Sequence, residues 1–297
     1  MPKPGAKYTG QMSDDTRTAN NSVFLCPVCR GSLFRAQRSL RCGQGHSFDV
    51  ARQGYVSLVT GSHPMGDTAD MVRARTAFLN CGIYTPIADL LVDAIQSYSP
   101  ASAASIAEHH GGRHRILADL GGGTGWYSAH ILDKIPTMEG VLIDASSQAA
   151  KVAARANPRL SVATADLWKS IPLADESIDI ALVVFAPRNP DEIHRVLTPG
   201  GICLVVTPQP NHLEELRTAY SMLTIEPEKE SRLTSQFSDF DSGETSFLEY
   251  RRFFSPEDIS NVIAMGPSAF HQTRIPIADH PAEVTISVAL HRFIRKP

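Results

Sequence analysis

Residues 115–132 read RILADLGGGTGWYSAHIL, and this stretch decides the fold. It begins with an apolar run, Ile116–Leu120, which contains one acidic residue, Asp119, and predicts a buried strand. A glycine-rich turn follows, and a helix-like segment begins at Trp126. Glycines let the chain turn tightly and bring backbone N–H groups close to a ligand. The order of strand, turn and helix therefore predicts a binding turn for a nucleotide-like cofactor.

Further apolar runs follow the glycine-rich turn. Each is predicted to be a strand, and they span residues 140–144, 160–166, 178–188 and 200–208. The first two end at acidic residues, Asp144 and Asp166, and the third ends in Phe185–Ala186–Pro187. Helix-like segments separate the runs, which predicts an α/β fold with a doubly wound parallel sheet. Ligands of such sheets bind at the carboxyl ends of the strands, where these residues and Asp119 all fall.

A glycine-rich turn alone does not identify the cofactor, because dinucleotide oxidoreductases share it. Three acidic residues and the end of the chain favour S-adenosylmethionine instead. Asp119 precedes the first glycine and can contact the methionine end of that cofactor or the turn's amides. Asp144 can accept both ribose hydroxyls, and Asp166 can meet the adenine amino group. The candidate cofactor residues from this pattern are Asp119, Gly121, Gly123, Gly125, Asp144 and Asp166.

The end of the chain adds an antiparallel element. Residues 282–294 alternate apolar and polar side chains, and we predict that they form a hairpin with residues 269–277. A late hairpin of this kind closes the sheet of the class I methyltransferases. The predicted fold is thus a Rossmann-like class I methyltransferase with a terminal antiparallel hairpin, preceded by a small zinc-binding module.

That module is predicted from the spacing of Cys26, Cys29, Cys42 and His46. A CxxC pair and a CxxxH pair lie twelve residues apart, and two cysteines at this spacing can reach one ion from a tight turn. Three thiolates and one imidazole complete a tetrahedral zinc site, which is structural because no position remains for water. The segment between the pairs predicts a short hairpin with Leu33, Phe34 and Leu40 as its apolar contacts.

The zinc-binding module is basic within a chain of net charge -3. Residues 21–60 contain five arginines and one acid, Asp49. One reading of this bias is a solvated face, and the other is a surface that contacts RNA phosphates, for which the planar guanidinium is well suited. The candidate RNA contacts are Arg30, Arg35, Arg38 and Arg41.

The 297 residues divide into four predicted parts. We predict a disordered polar lead over residues 1–22, a zinc-binding RNA-recognition module over 23–62, a helical linker over 63–114 and a methyltransferase domain over 115–297. No run of about 18 apolar residues occurs, so we expect no membrane-spanning helix. The lead lacks the apolar centre of a signal peptide, and we expect a cytoplasmic protein with reduced thiols.

Several longer motifs carry a resemblance to one family. They are CPVC at residue 26, CGQGHSFDVARQGYVSL at 42, GDTADMVRARTAFLNCGIYTP at 66, DLGGGTGW at 119, FAP at 185, LTPGG at 197 and TPQPNHL at 207. Over almost all of residues 24–297, the chain resembles the large-subunit (23S) ribosomal RNA guanine-N1 methyltransferases. That family includes a branch associated with resistance to macrolides of the tylosin type.

The resemblance implies site residues and partners. It implies zinc at the four residues named above and cofactor contacts at Tyr84, Gly123, Thr124 and His212. It also implies a homodimer whose zinc modules and catalytic domains line a cleft for a 23S rRNA hairpin. Arg188 departs from the pattern, since some relatives are expected to have a smaller or uncharged residue there.

The implied reaction is methylation of guanine N1 in a hairpin loop of 23S rRNA, with macrolide resistance as a further expectation. The N1 edge is paired inside a duplex, so the target is expected to be a loop nucleotide or a flipped one. The candidate catalytic residues are Phe185, which can stack on the base, and Pro187, near the carbonyls that can hold its edge; no general base is identified. Two alternatives stay open: a small-molecule methyltransferase and a non-catalytic zinc-containing RNA-binding protein.

Overall fold

The strand before the glycine-rich turn lies inside an eight-stranded sheet of the computed structural model. The structure describes residues 23–61, 66–98, 114–220, 222–223, 229–266 and 278–296. The predicted disordered lead, residues 1–22, lies outside these ranges. The whole of segment 269–277, the predicted first strand of the terminal hairpin, also lies outside them.

The described strands are β1 Phe34–Ala36, β2 Ser39–Arg41, β3 Ser47–Asp49, β4 Val56–Ser57, β5 Arg115–Leu120, β6 Met138–Asp144, β7 Leu160–Thr164, β8 Ile178–Val184, β9 Leu197–Pro208, β10 Phe240–Phe254 and β11 Ala282–Arg295. The described helices are α1 Ala69–Asn80, α2 Thr85–Gln96, α3 Trp126–Lys134, α4 Ser147–Ala153, α5 Pro190–Val196, α6 Glu214–Tyr220, α7 Lys229–Gln236 and α8 Pro256–Ala264.

The large sheet has the order β10-β11-β9-β8-β5-β6-β7-β4. All its pairings from β9 through β8, β5, β6 and β7 to β4 are parallel. The central strand β8 has no exposed residue, as expected for a parallel strand covered on both faces. The doubly wound parallel sheet predicted from the sequence is therefore confirmed.

The antiparallel part of the sheet is confirmed, but its partner strand was predicted wrongly. Strand β11 pairs with β10 along its whole length, from Ala282 opposite Phe254 to Arg295 opposite Phe240. On its other side β11 pairs with β9, again antiparallel. Strand β10 is an edge strand whose side chains are mostly exposed or half-buried, so it lacks the apolar alternation that marks β11.

The two helices of the predicted linker begin at clear signals. Thr68 is the N-cap of α1, and its hydroxyl accepts the backbone N–H of Met71. Helix α2 begins with Pro86 in its first turn and buries Ile87, Leu91 and Ile95, as its period predicts. Among the described residues, no single helix has the length and apolar character to cross a membrane, while the bent pair α1 and α2 meets that test by length and composition only.

The zinc-binding module shares a hydrophobic core with the large sheet. Phe24 is 1% exposed and forms an antiparallel bridge with Leu173, which lies between β7 and β8. Leu33 and Leu40 of the module belong to the same buried cluster as residues of β5 and β8. Strand β4 extends the sheet at the β7 edge, so the module is attached through both side chains and backbone.

Phe34 does not contribute to that core. Its side chain is 54% exposed, although the sequence predicted it as one of the module's apolar contacts. Leu33 and Leu40 are each 1% exposed and confirm the other two predictions. The alternation along the hairpin explains the difference, because adjacent strand residues point to opposite faces.

Phe24 and Phe34 offer a matched test of the shared core. We expect Phe24→Ala to lower the free energy of unfolding of the chain by about 3–5 kcal/mol, since a large buried ring is lost. Phe34→Ala should change it by less than about 0.5 kcal/mol, because that ring is in solvent. Denaturant unfolding followed by tryptophan fluorescence measures both, and equal small effects would show that the module and sheet do not share a core.

Candidate active site and metal centre

The four predicted zinc ligands converge in the zinc-binding module. One ligand atom from each of Cys26, Cys29, Cys42 and His46 lies within 4.8 Å of all the others. The Sγ atoms of Cys29 and Cys42 are 3.6 Å apart, and Cys42 Sγ lies 3.3 Å from Nδ1 of His46. Zn–S bonds of about 2.3 Å at tetrahedral angles separate two sulfurs by about 3.8 Å. The cluster therefore has the size and donor set of a closed, structural zinc site.

The four arginines predicted to contact RNA have different surroundings. Arg30 donates a hydrogen bond to Ser170 Oγ and lies 3.7 Å from the Asp175 carboxylate, so its guanidinium faces the methyltransferase part of the chain. Arg35 donates from Nε to the Gln37 carbonyl oxygen at 2.9 Å. Arg38 and Arg41 are exposed, and no polar contact ties either side chain to the rest of the described structure.

The glycine-rich turn is pressed against the end of β8. Gly121 has a φ of +79°, and a Cβ on it would lie 2.6 Å from the Cβ of Ala186. No larger residue fits that approach without displacing backbone. Gly125 is the N-cap of α3 in the left-handed region, with φ of 74°. Two of the three glycines of the predicted pattern, Gly121 and Gly125, are thus required by geometry.

An open cavity lies on one side of this turn. It contains several of the predicted cofactor residues, namely Tyr84, Asp119, Gly121, Thr124 and His212. Apolar side chains from α1 and α8, including Leu79 and Val262, form much of the remaining wall. The structure therefore brings together Tyr84 and His212, two predicted cofactor residues that are 128 positions apart in the chain.

Tyr84 and His212 form a buried hydrogen-bonded pair in this cavity. Tyr84 Oη lies 3.0 Å from His212 Nε2, and the backbone N–H of Ser287 donates to His212 Nδ1 at 3.2 Å. Because Nδ1 accepts, the proton of the neutral ring lies on Nε2 and is donated to the tyrosine oxygen. Burial lowers the pKa of His212 to about 4, and Arg217 acts in the same direction. The Tyr84 hydroxyl is thus left with its own hydrogen to donate.

Asp119 lies at the floor of the same cavity and is 1% exposed. Burial raises the pKa of its carboxyl to about 7, although Ser128 Oγ donates a hydrogen bond to it at 2.5 Å. A buried carboxylate of this kind is stabilised by a nearby cation. The site can therefore accept a positively charged ligand group close to Asp119.

A second open cavity lies on the other side of the turn. Asp144 and Asp166 line it, together with Pro187. The two carboxylate oxygens of Asp144 accept the backbone N–H groups of Gly123 at 2.8 Å and Ser146 at 2.7 Å. Burial raises the pKa of Asp144, while these hydrogen bonds oppose the increase. The carboxylate is thus held in a fixed orientation and keeps lone pairs for further donors.

Asp166 and Trp168 lie at the rim of the second cavity. One carboxylate oxygen of Asp166 accepts the backbone N–H of Trp168 at 3.0 Å. The Trp168 side chain is 69% exposed. An exposed indole at the mouth of a cavity offers a flat apolar surface to whatever enters.

The two cavities share three lining residues, which are Arg75, Gly121 and Phe185. Phe185 has a φ of +53°, a region that non-glycine residues adopt rarely and at a cost in energy. Its ring is 41% exposed and lies 6.1 Å from the ring of Tyr84 and 5.8 Å from that of His212. The strained backbone therefore directs an aromatic ring to the junction of the cavities.

Of the linker residues in the site, Tyr84 was predicted from the sequence, but Asp67 and Arg75 were not. Arg75 of α1 pairs with Asp67 at 2.8 Å and donates to the Met265 carbonyl oxygen at 2.8 Å. The side chains of Arg75 and Asp67 line the second cavity. The available signal was the helical period, because Arg75 lies four residues from Met71 and from Leu79, which are buried. A cation on the apolar face of an amphipathic helix marks a polar site beneath it.

Comparisons with known proteins agree with this arrangement. A family model described as "RlmA, N-terminal", a zinc ribbon, matches residues 24–63. A model described as "Methyltransferase domain" matches residues 117–201. The zinc cluster and the glycine-rich turn each fall inside the corresponding match.

Curated relatives extend over most of the chain. A 23S rRNA (guanine(748)-N(1))-methyltransferase of Streptomyces fradiae is 42% identical over 271 residues, covering 89% of this chain and 93% of the relative. A relative from Micromonospora griseorubida is 38% identical and covers 90% of this chain and 96% of its own length. A relative from Bacillus subtilis (strain 168) is 32% identical and covers 68% of this chain and 70% of its own length. The names of both place them in the same enzyme class.

Sheet order, glycine-rich turn and zinc cluster define an S-adenosylmethionine-dependent methyltransferase that carries an N-terminal zinc ribbon. The close approach of Gly121 to Ala186 and the acidic ends of β5 and β6 fit that cofactor. At 42% and 38% identity to relatives covered over more than nine-tenths of their length, the chain belongs to the family of 23S rRNA (guanine-N1)-methyltransferases.

Proposed function

We propose that this chain transfers a methyl group from S-adenosylmethionine to N1 of a guanine in a hairpin loop of 23S ribosomal RNA. The observation that carries the proposal is the 42% identity over 93% of an enzyme named for this reaction at guanine 748. Two cavities that meet at the glycine-rich turn support it, because one reaction needs room for both a cofactor and a base.

The cofactor is proposed to bind along the turn. Asp144 would hold the ribose hydroxyls and Asp166 the adenine edge, while Tyr84, Thr124 and His212 would lie near the methionine end. Gly121, Gly123 and Gly125 shape the turn, and Asp119 favours the positive charge of the ligand. When bound, S-adenosylmethionine supplies a methyl group on a positively charged sulfur, which becomes a neutral thioether after transfer.

Phe185 and the carbonyls up to Pro187 are proposed to position the guanine. The exposed Phe185 ring at the junction of the cavities can stack on a planar base. Guanine N1 must lose its proton as the N–C bond forms, and alignment of the nitrogen with the methyl carbon is the main contribution that the protein can make. His212 does not serve as the base in this scheme, because its Nδ1 already accepts the Ser287 N–H.

The zinc ribbon is proposed to hold the RNA. Arg38 and Arg41 present free guanidinium groups, which suit phosphate contacts. Arg35 is a weaker candidate because Nε is already used, and Arg30 is directed towards Ser170. A cytoplasmic location is also proposed, because the proposed substrate is ribosomal RNA.

A homodimer is also part of the proposal. The edge strand β10 exposes two aromatic rings, Phe247 at 65% and Phe253 at 76%. Exposed aromatic rings on an edge strand form a surface that a protein partner commonly covers. A second copy of the chain on this edge would remove both rings from water.

Light scattering on the purified chain tests the dimer. We expect a mass about twice the 32.3 kDa of one chain, and Phe253→Glu should shift the mass towards that of one chain. Phe34→Glu is the control, since it changes another exposed ring, which lies outside β10. A single-chain mass for the unaltered protein would exclude the dimer.

Primer extension tests the reaction. Protein and cofactor are incubated with 23S rRNA, and reverse transcriptase is expected to stop one nucleotide before a guanine, because N1 methylation blocks base pairing. The position named for the relative, guanine 748, is the first to inspect. Absence of any stop, together with methyl transfer to a small molecule, would replace this proposal with the small-molecule alternative.

The same assay separates RNA binding from chemistry. We expect the Arg38→Glu and Arg41→Glu double variant to raise the RNA concentration needed for half-maximal methylation by about tenfold or more, since each arginine is a phosphate contact. Affinity for S-adenosylhomocysteine should not change. Arg52→Glu, at another exposed arginine of the ribbon, shows whether any loss of positive charge has the same effect.

A further inference from the structure

Arg75 has no role in the proposed reaction, although it lies beside the glycine-rich turn. It lies in the middle of α1, its side chain is 27% exposed, and it lines both cavities. Its Nη1 atom lies 3.1 Å from where a Cβ of Gly123 would be. The guanidinium is therefore directly above the glycine-rich turn.

The charges around this position are unbalanced. Asp67, Asp144 and Asp166 line the second cavity and Asp119 the first, whereas the cationic residues lining either cavity within the described structure are Arg75 and Arg217. Arg217 donates from Nε to the His212 carbonyl oxygen at 2.9 Å and from Nη2 to that of Pro210. Arg217 thus holds the backbone of its own loop.

Arg75 retains donors for a ligand. Its contacts to Asp67 and Met265 account for two of the five N–H groups of a guanidinium. S-adenosylmethionine carries two positive groups, the sulfonium and the ammonium, and one negative group, the carboxylate of its methionine. The four carboxylates that line the cavities can balance the two positive groups. The carboxylate of the ligand requires a cation or N–H donors.

The place of Arg75 along the ligand also fits that carboxylate. With the ribose at Asp144, the methionine chain must cross the turn beside Gly123 to reach the cavity that holds Tyr84. We infer that Arg75 binds the carboxylate of the cofactor's methionine and fixes the position of that chain. The inference rests on the cofactor and is independent of the RNA substrate.

The linker is anchored in a way that keeps Arg75 over the turn. Ser146 Oγ donates to the Asp67 carbonyl oxygen at 2.7 Å, and a Cβ on Gly66 would lie 2.8 Å from the Ser146 backbone nitrogen. Met265, just after α8, accepts the second contact of Arg75. Asp67, which is anchored at the start of α4, and Met265, which follows α8, therefore hold the Arg75 guanidinium in place.

Calorimetric titration of the full zinc-loaded chain with two ligands tests the inference. The first ligand is S-adenosylhomocysteine, and the second is its decarboxylated analogue. The unaltered protein should bind the first about 10- to 100-fold more tightly, as expected for loss of a charged hydrogen-bonded contact. Similar affinities for the two ligands would overturn the inference without any variant.

Variants identify the residue responsible. Arg75→Met should weaken binding of S-adenosylhomocysteine about 10- to 100-fold and leave binding of the decarboxylated analogue within about twofold. The affinity of Arg75→Lys for S-adenosylhomocysteine should lie between those of the unaltered protein and Arg75→Met. Lysine keeps the charge but lacks the planar guanidinium. Arg73→Met, on the exposed side of the same helix, is the control and should change neither affinity. Equal weakening of both ligands by Arg75→Met would mean that Arg75 only supports the fold.

Discussion

The close approach between the glycine-rich turn and the end of β8 is the constraint on which the rest of the site depends. Gly121 faces Ala186 so closely that no side chain fits between them. Because the two segments meet there, the space above the sheet is divided into two cavities joined at one point. Phe185 and Arg75 line both cavities at that point. The division separates Asp144, the proposed ribose contact, from the cavity that holds Tyr84.

The zinc ribbon and the linker are structural parts of the same site. The ribbon shares its core with β5 and β8 and extends the sheet through β4. The linker supplies Asp67, Arg75 and Tyr84 from residues that precede the methyltransferase strands. Zinc thus stabilises a surface next to the cofactor turn, although the metal takes no part in the chemistry.

Features that depend on local sequence could be predicted, and those that depend on distant packing could not. The zinc ligands follow from short spacings, and the acidic ends of β5 and β6 follow from apolar runs that stop at an aspartate. Strand β10 was missed because its exposed edge position removes the alternation that defines β11. Arg75 was missed because its role depends on α1 lying over a turn 46 or more residues later. Arg30 reaches Ser170, 140 positions away, and no local pattern marks such a contact.

The binding of S-adenosylhomocysteine to Gly121→Ala tests the central claim most directly. A Cβ at this position would meet Ala186 and would also force an unfavourable φ of +79°, so the turn and the end of β8 must separate. The account predicts a folded chain with its zinc retained and an affinity for the ligand reduced by about tenfold or more. Gly43→Ala, where a Cβ has open space, should bind as the unaltered protein does. An unchanged affinity in Gly121→Ala would contradict the account.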